Sequence, residues 1–166
     1  VTNTSVITIT VTGTNDAPTL TATGTAVAVE DADDAIVFDL ASIGDDVDSD
    51  NDGTDLTYAI ITNALEGVAS IAGTDLRFDP ADDFQDLAVG ETRDVTVTIH
   101  ATDVQGFVTN TSVITITVTG TNDAPVPVAL SVAGDEDNVI SGTVSASDAD
   151  TNDVLTFAVA TQGTFG

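Results

Sequence analysis

Two stretches alternate strictly between apolar and polar positions. In the first, Val95, Val97, Ile99 and Ala101 alternate with Thr96, Thr98, His100 and Thr102. In the second, Ile114, Ile116 and Val118 alternate with Thr115, Thr117 and Thr119. A period of two built from β-branched residues predicts strands with one buried and one wet face. Shorter runs of the same kind predict strands at 19–29, 35–38, 56–62, 68–72 and 76–78. Clusters of Asp, Gly, Asn and Pro separate them and punctuate the chain as turns. No segment carries a helical period. About seven short strands in about 100 residues predict an all-β, immunoglobulin-like sandwich.

A repeat then sets the organisation. Residues 1–18 read VTNTSVITITVTGTNDAP, and residues 108–125 repeat them letter for letter, so position 1 recurs at 108, an offset of 107 residues. A period of this size means whole domains in tandem rather than solenoid units. Three parts are expected: residues 1–13 as the last strand of a preceding repeat, 14–120 as a complete repeat, and 121–166 as the start of the next, stopping partway. The stretch after Pro125 differs from the one after Pro18, so the repeats are not copies throughout.

Composition narrows the function. The 166 residues carry 28 acidic side chains against two basic ones, Arg77 and Arg93, for a formal net charge of −26. A hydrophobic fraction of 42% is enough for a core, so the charge does not imply wholesale disorder. Nucleic acid is excluded, because phosphate binding needs clustered Lys and Arg. An anionic membrane surface is excluded for the same reason. No apolar run approaches the roughly 20 residues that span a bilayer, and no secretory signal is visible. The absence of cysteine removes disulfides, thiolate metal sites and cysteine nucleophiles. Acidic residues at this density repel one another unless cations neutralise them. Hard cations with oxygen ligands, calcium above all, are the expected partner.

The acidic residues gather at strand ends and in the linkers. Asn15 and Asp16 recur as Asn122 and Asp123, each pair followed by Ala-Pro. Asp48 and Asp50, with Asn51 and Asp52 behind them, are matched to Asp148 and Asp150, with Asn152 and Asp153. Alternate Asp residues bring two carboxylates to one point, as a cation with six to eight oxygen ligands requires. An EF-hand is rejected, because its twelfth position falls on Ala59 or Val159 and the loops lie between strands. Asp103 follows a strand, and Glu30 and Glu91 complete the set, with Glu136 as the next repeat's counterpart to Glu30. Singly, each reads as a solvated surface carboxylate; together they read as calcium ligands.

The run TVTIHATDVQGFVTNTSVITITVTGTNDAP, 96–125, resembles the end of a cadherin repeat, with its Ala-x-Asp-x-Gly segment, final strand and Asp-x-Asn-Asp-Asn linker. With Leu-Ala-Val-Gly-Glu-Thr at 87–92 it is more closely similar to the bacterial cadherin-like, VCBS-type repeats of large RTX-type adhesins secreted by type I systems. The likeness is specific over 84–125 and looser elsewhere. It implies cadherin-like β-sandwich repeats with calcium at each junction. Glu30 and Glu91 would face the lower junction with Asn122, Asp123, Asp148 and Asp150. Asn15 and Asp16 would meet Asp48, Asp50 and Asp103 at the upper one. Gly120 and Ala124 stand where cadherins carry an Asp and an Asn, so a junction is expected to hold fewer ions or fewer ligands. The implied role is a calcium-stiffened stalk on a bacterial surface, extracellular, serving adhesion and biofilm attachment, with neighbouring repeats of the same chain as partners.

Rival readings are weaker. His100 and Tyr58 are the single His and Tyr, and aromatics make up 4% of the chain, too few for a sugar cleft or an acid–base site. No enzyme is expected. Rows of Thr on an outer face would also suit a carbohydrate- or ice-binding surface, although Thr is an ordinary outer-face strand residue. The glycine-aspartate nonapeptide of a calcium β-roll is missing. An unpaired strand at 1–12 and an incomplete sandwich at 121–166 would allow head-to-tail strand addition between copies, making a strand-exchange fibre.

Overall fold

A computed structural model describes residues 3–32, 35–48 and 52–163. The alternating runs become two packed sheets. In chain order the strands are β1 (Thr19–Leu20), β2 (Thr23–Val29), β3 (Ile36–Asp39), β4 (Gly44–Asp45), β5 (Thr57–Thr62), β6 (Val68–Ala72), β7 (Asp75–Asp79), β8 (Thr92–Thr102) and β9 (Ser112–Thr119). One sheet has the order β2-β9-β8-β5 and the other β3-β7-β6. Only β2 and β9 run parallel in these sheets; the remaining pairs are antiparallel. The chain has the all-β, immunoglobulin-like sandwich that the alternation predicts.

The core lies between the sheets. Val97, Ile99 and Ala101 of β8 and Ile114, Ile116 and Val118 of β9 face Leu76 and Phe78 of β7, and all of them are fully buried. Each of these side chains larger than Ala101 contributes roughly 1.5–3 kcal/mol by leaving water. Leu40 closes one end from a 3-10 turn over Leu40–Ile43, where the Asp39 carboxylate caps the turn by accepting from the Ala41 N–H at 3.0 Å.

The single strand expected at 19–29 is two. β1 pairs with β4, which the alternation does not reveal because it is two residues long, whereas β2 pairs with β9. The crossing falls between Thr21, whose N–H donates to Ile43 O at 2.9 Å, and Ala22, whose carbonyl accepts from Val113 N at 3.0 Å. The Asn110 side chain bridges the break: its Oδ1 accepts from Leu20 N and its Nδ2 donates to Leu20 O, both at 2.9 Å.

The repeated sequence adopts two structures. At 112–119 it is β9; at 5–12 it forms no strand, and Ile9 is 80% exposed where its equivalent Ile116 is 0%. The final strand expected at 1–13 is therefore not formed among the described residues. A strand needs neighbours for its backbone groups; β9 has β2 and β8, while 3–13 has no strand paired to it.

Beyond the linker, β10 (Val126–Val128) and β11 (Ser145–Ser147) form a second antiparallel pair. Val126 faces Ser147 as Thr19 faces Asp45, and Pro127 faces Ala146 as Leu20 faces Gly44. The opening of the sandwich thus recurs in the same register. Among the described residues no helix is long and apolar enough to cross a membrane.

Candidate metal centre

The site is built at the pole where β2 and β9 end. Along β2, Ala26 and Ala28 point into the core, and the same period carries Glu30 inward one step past the last strand residue. Its N–H continues the ladder to Thr119 O at 3.0 Å, and its side chain is 1% exposed. The linker leaves β9 directly above it. Thr121 N–H donates to Glu30 Oε2 at 3.2 Å, and the Thr121 hydroxyl donates to Asp31 Oδ2 at 2.7 Å. Gln85 Nε2 donates to the other Asp31 oxygen at 3.3 Å.

The next unit supplies the far side. Asp123 N–H donates to Asp150 Oδ2 at 2.8 Å, and Asp150 N–H donates to Asp148 Oδ1 at 3.3 Å. Asn122 folds its amide back onto Asp123 O. One carboxylate oxygen each of Asp148, Asp150 and Asp153 lies within 4.8 Å of the other two. Glu91 adjoins the linker through its backbone, accepting from Gly120 N at 2.8 Å, and its Oε2 accepts from Ala88 N at 3.3 Å.

Three oxygens decide what this pole fits. Glu30 Oε1, Asp123 Oδ2 and Asp150 Oδ1 are buried with no hydrogen-bond partner among the described residues. Buried acceptors without donors are costly and rare. Burial, opposed by the Thr121 N–H and reinforced by Asp31, Asp123 and Asp150, raises the Glu30 pKa above its ordinary value. Burial, together with Asp31, Asp150 and Asp148, raises that of Asp123. The Thr121 hydroxyl and Gln85 hold Asp31 below its ordinary range. An all-oxygen, multiply anionic donor set without His or Cys suits a hard divalent cation and not zinc or copper. The residues present fit such an ion.

The other pole repeats the plan. Asp16 N–H donates to Asp48 Oδ2 at 2.7 Å, and Asp48 N–H donates to Asp46 Oδ1 at 3.1 Å. Asn15 Nδ2 donates to Asp103 Oδ2 at 2.9 Å, and Phe107 N–H donates to Asp103 Oδ1 at 2.7 Å. Asn15 Oδ1 and Asp46 Oδ2 are buried without a partner among the described residues. Burial opposes ionisation of Asp103, but the Asn15 amide and the backbone N–H groups of the following turn outweigh it and lower its pKa.

These bonds correct the sequence alignment of the two acidic loops. Asp16 meets Asp48 as Asp123 meets Asp150, so Asp46 and Asp48, not Asp48 and Asp50, correspond to Asp148 and Asp150. Asp50 lies outside the described residues. Asp46-Val47-Asp48 and Asp48-Ser49-Asp50 overlap as Asp-x-Asp motifs, and sequence alone took the second. The register of β4 against β1 picks the first. Glu136, the next repeat's counterpart of Glu30, sits exposed in a turn, in a stretch without strands between β10 and β11, and belongs to neither of these two poles. Asp31 and Asp46 were missed. Their signals were adjacency to Glu30 and the first of the two overlapping Asp-x-Asp motifs.

Tyr58 hydroxyl donates to Gly53 O at 2.7 Å, and burial, with Asp39 and Asp52, pushes its pKa up to about 12. His100 lies half-buried on the outer face of β8.

No protein-family model matches the sequence, and neither does any curated protein. Among solved structures the chain is similar to extracellular cadherin domains 1–4 of protocadherin gamma B7, with 20% identity and a TM-score of 0.52 over 82% of this chain. A structure of protocadherin gamma B7 domains EC3–6 as a cis-dimer gives 17% identity and a TM-score of 0.47, also over 82% of this chain. The chain spans about a third, 34% and 32%, of those two chains' lengths. The fold is that of a cadherin extracellular domain.

Proposed function

We propose that this chain is a segment of a calcium-rigidified extender, built from tandem cadherin-like repeats, in a secreted bacterial adhesin of the VCBS/RTX kind. The observation that carries the reading is the trio of buried, unpartnered oxygens on Glu30, Asp123 and Asp150, which come from before, within and beyond one linker. Residues 14–120 are one repeat, 121–166 open the next, and 1–13 carry the sequence of the last strand of the one before, a strand that forms when the rest of that repeat is present to pair with it. The exposed apolar face of Ile7, Ile9 and Val11 is then the face its own repeat covers.

At the lower junction Glu30, Asp31, Glu91, Asn122, Asp123, Asp148 and Asp150 hold the ion; at the upper one Asn15, Asp16, Asp46, Asp48 and Asp103 do. Bound calcium supplies the positive charge that these carboxylates lack. Glu30 and Asp31 belong to one sandwich and Asp148 and Asp150 to the next unit, so shared coordination fixes their relative orientation and the repeats act as a rod. The rod projects a distal binding domain from the cell surface and serves attachment. Its role is mechanical and involves no catalysis.

The test is a calcium titration of the full chain by calorimetry, with magnesium and EDTA controls and small-angle scattering alongside. Binding at several sites at roughly 10⁻⁴–10⁻³ M is expected, with a higher Tm and a longer particle. Heats no larger than magnesium's and an unchanged scattering profile would sink the proposal.

A further inference from the structure

One inter-unit contact involves no carboxylate oxygen on the far side. Thr151 N–H, next to the acidic pair Asp148 and Asp150, donates to the backbone carbonyl of Asp86 at 3.0 Å. Asp86 belongs to the loop between β7 and β8, and this loop is anchored unusually well. Phe84 holds a left-handed backbone, φ 72°, while buried at 3% exposure, its ring edge-on to Phe78 at 6.4 Å between centroids. Such backbone strain persists only where the surroundings over-determine it. The Arg93 guanidinium lies 5.9 Å above the Phe84 ring, donates to Asp86 Oδ2 at 2.6 Å and donates to Glu66 Oε1 at 3.0 Å. The same loop backs the linker, since a Cβ at Gly120 would sit 2.3 Å from Leu87 O.

The chain has two cations, and they are used differently. Arg77 makes one exposed pair with Asp75 at 3.6 Å. Arg93 grips two carboxylates and a ring at the base of the loop that touches the next unit. In a field of repelling carboxylates, this hydrogen bond joins two neutral backbone groups, so it needs no cation to offset charge repulsion.

We infer that the 84–91 loop is a cation-independent brace between successive units, in which Arg93 is the positioning residue that sets Asp86 so that its carbonyl holds the 148–153 acidic loop through Thr151. The brace orients that loop before any ion arrives. It goes beyond the calcium reading and is independent of it. Cation removal therefore loosens the junction electrostatically but does not release the loop.

The experiment is amide hydrogen exchange on the full chain in EDTA, resolved at Thr151. In the wild type the Thr151 amide is expected to exchange at least about tenfold more slowly than the exposed amide of Thr10. Arg93→Gln should accelerate Thr151 about tenfold, the loss of one well-set hydrogen bond, and leave Val97 and Ile116 in the core unchanged. Arg77→Gln should change none of them. If Arg93→Gln also loosens the core, Asp86→Asn is the reading variant, because it keeps the carbonyl and weakens the grip of Arg93; Thr151 should again accelerate selectively. A wild-type Thr151 amide as fast as Thr10 in EDTA, or one indifferent to both variants, overturns the brace. Because no calcium is present, failure of the calcium titration leaves this result untouched, and the reverse holds as well.

Discussion

Glu30 is the residue on which the junction turns. It occupies a core-facing position of β2 extended by one step, so the fold buries a carboxylate that no described donor fully satisfies. Its raised pKa has a signed consequence. The folded, cation-free chain binds the Glu30 proton more tightly than the unfolded chain does, so this group's contribution to stability falls as pH rises from the ordinary carboxylate value through the raised one. Asp123 acts in the same direction. In EDTA, Tm should therefore rise as pH is lowered from neutral toward that window, and Glu30→Gln should flatten the rise. In saturating calcium the wild-type trend should vanish. At still lower pH, Asp31 and Asp103, whose pKa values are depressed, lose their hydrogen-bonded ionised forms and stability falls again. A thermal melt series across pH, with and without calcium, checks all of this. At the other pole, Asp46→Asn should weaken binding on the order of tenfold, about 1.4 kcal/mol; a calorimetric titration indistinguishable from wild type would remove Asp46 from the site.

At the scale of elements, one sequence in two settings separates propensity from context. Segments 5–12 and 112–119 share every letter, yet only the second lies between β2 and β8. Ile116→Ala should cost roughly 2–5 kcal/mol in chemical denaturation, whereas Ile9→Ala should stay within about 0.5 kcal/mol. The glycines at the ends of these segments make the same comparison for the backbone. Gly120→Ala places a Cβ 2.3 Å from Leu87 O and 2.6 Å from Ala88 O, and should cost about 1–3 kcal/mol. Gly13→Ala meets nothing within 4 Å and should be neutral. Equal effects at both members of either pair would mean that 3–13 is packed in solution as 110–120 is.

At the scale of the molecule, 26 net negative charges on 166 residues set the response to ions. Monovalent salt screens exposed carboxylates over about 8–10 Å but reaches buried ones poorly. Sodium chloride should therefore raise Tm gradually and without saturation, while millimolar calcium should raise it further and saturate. A Tm that depends on ionic strength alone, whichever cation supplies it, would reduce the acidic clusters to a solubilising surface. The bonds that cross the linker run from Thr121 to Glu30 and Asp31, from Asp123 to Asp150, and from Thr151 to Asp86.

The sequence alone determined what depends on local periodicity and on composition. Strict alternation is a property of neighbouring residues, so β5 to β9 and the sandwich class were legible from it, and so was the letter-for-letter repeat. The expectation of a hard cation came from 28 carboxylates without His clusters or Cys. What remained needed partners distant along the chain. The two-residue β4 exists only through β1, and its register decides between two overlapping Asp-x-Asp motifs. Asp31 becomes part of the site only because Thr121, 90 residues away, lands on it. Glu30 is buried because a strand ends at a sandwich pole, and spacing along the chain does not reveal that. Segment 3–13 has every local feature of a strand and is not one, because a strand's backbone hydrogen bonds lie across to its neighbours, which its own sequence does not supply.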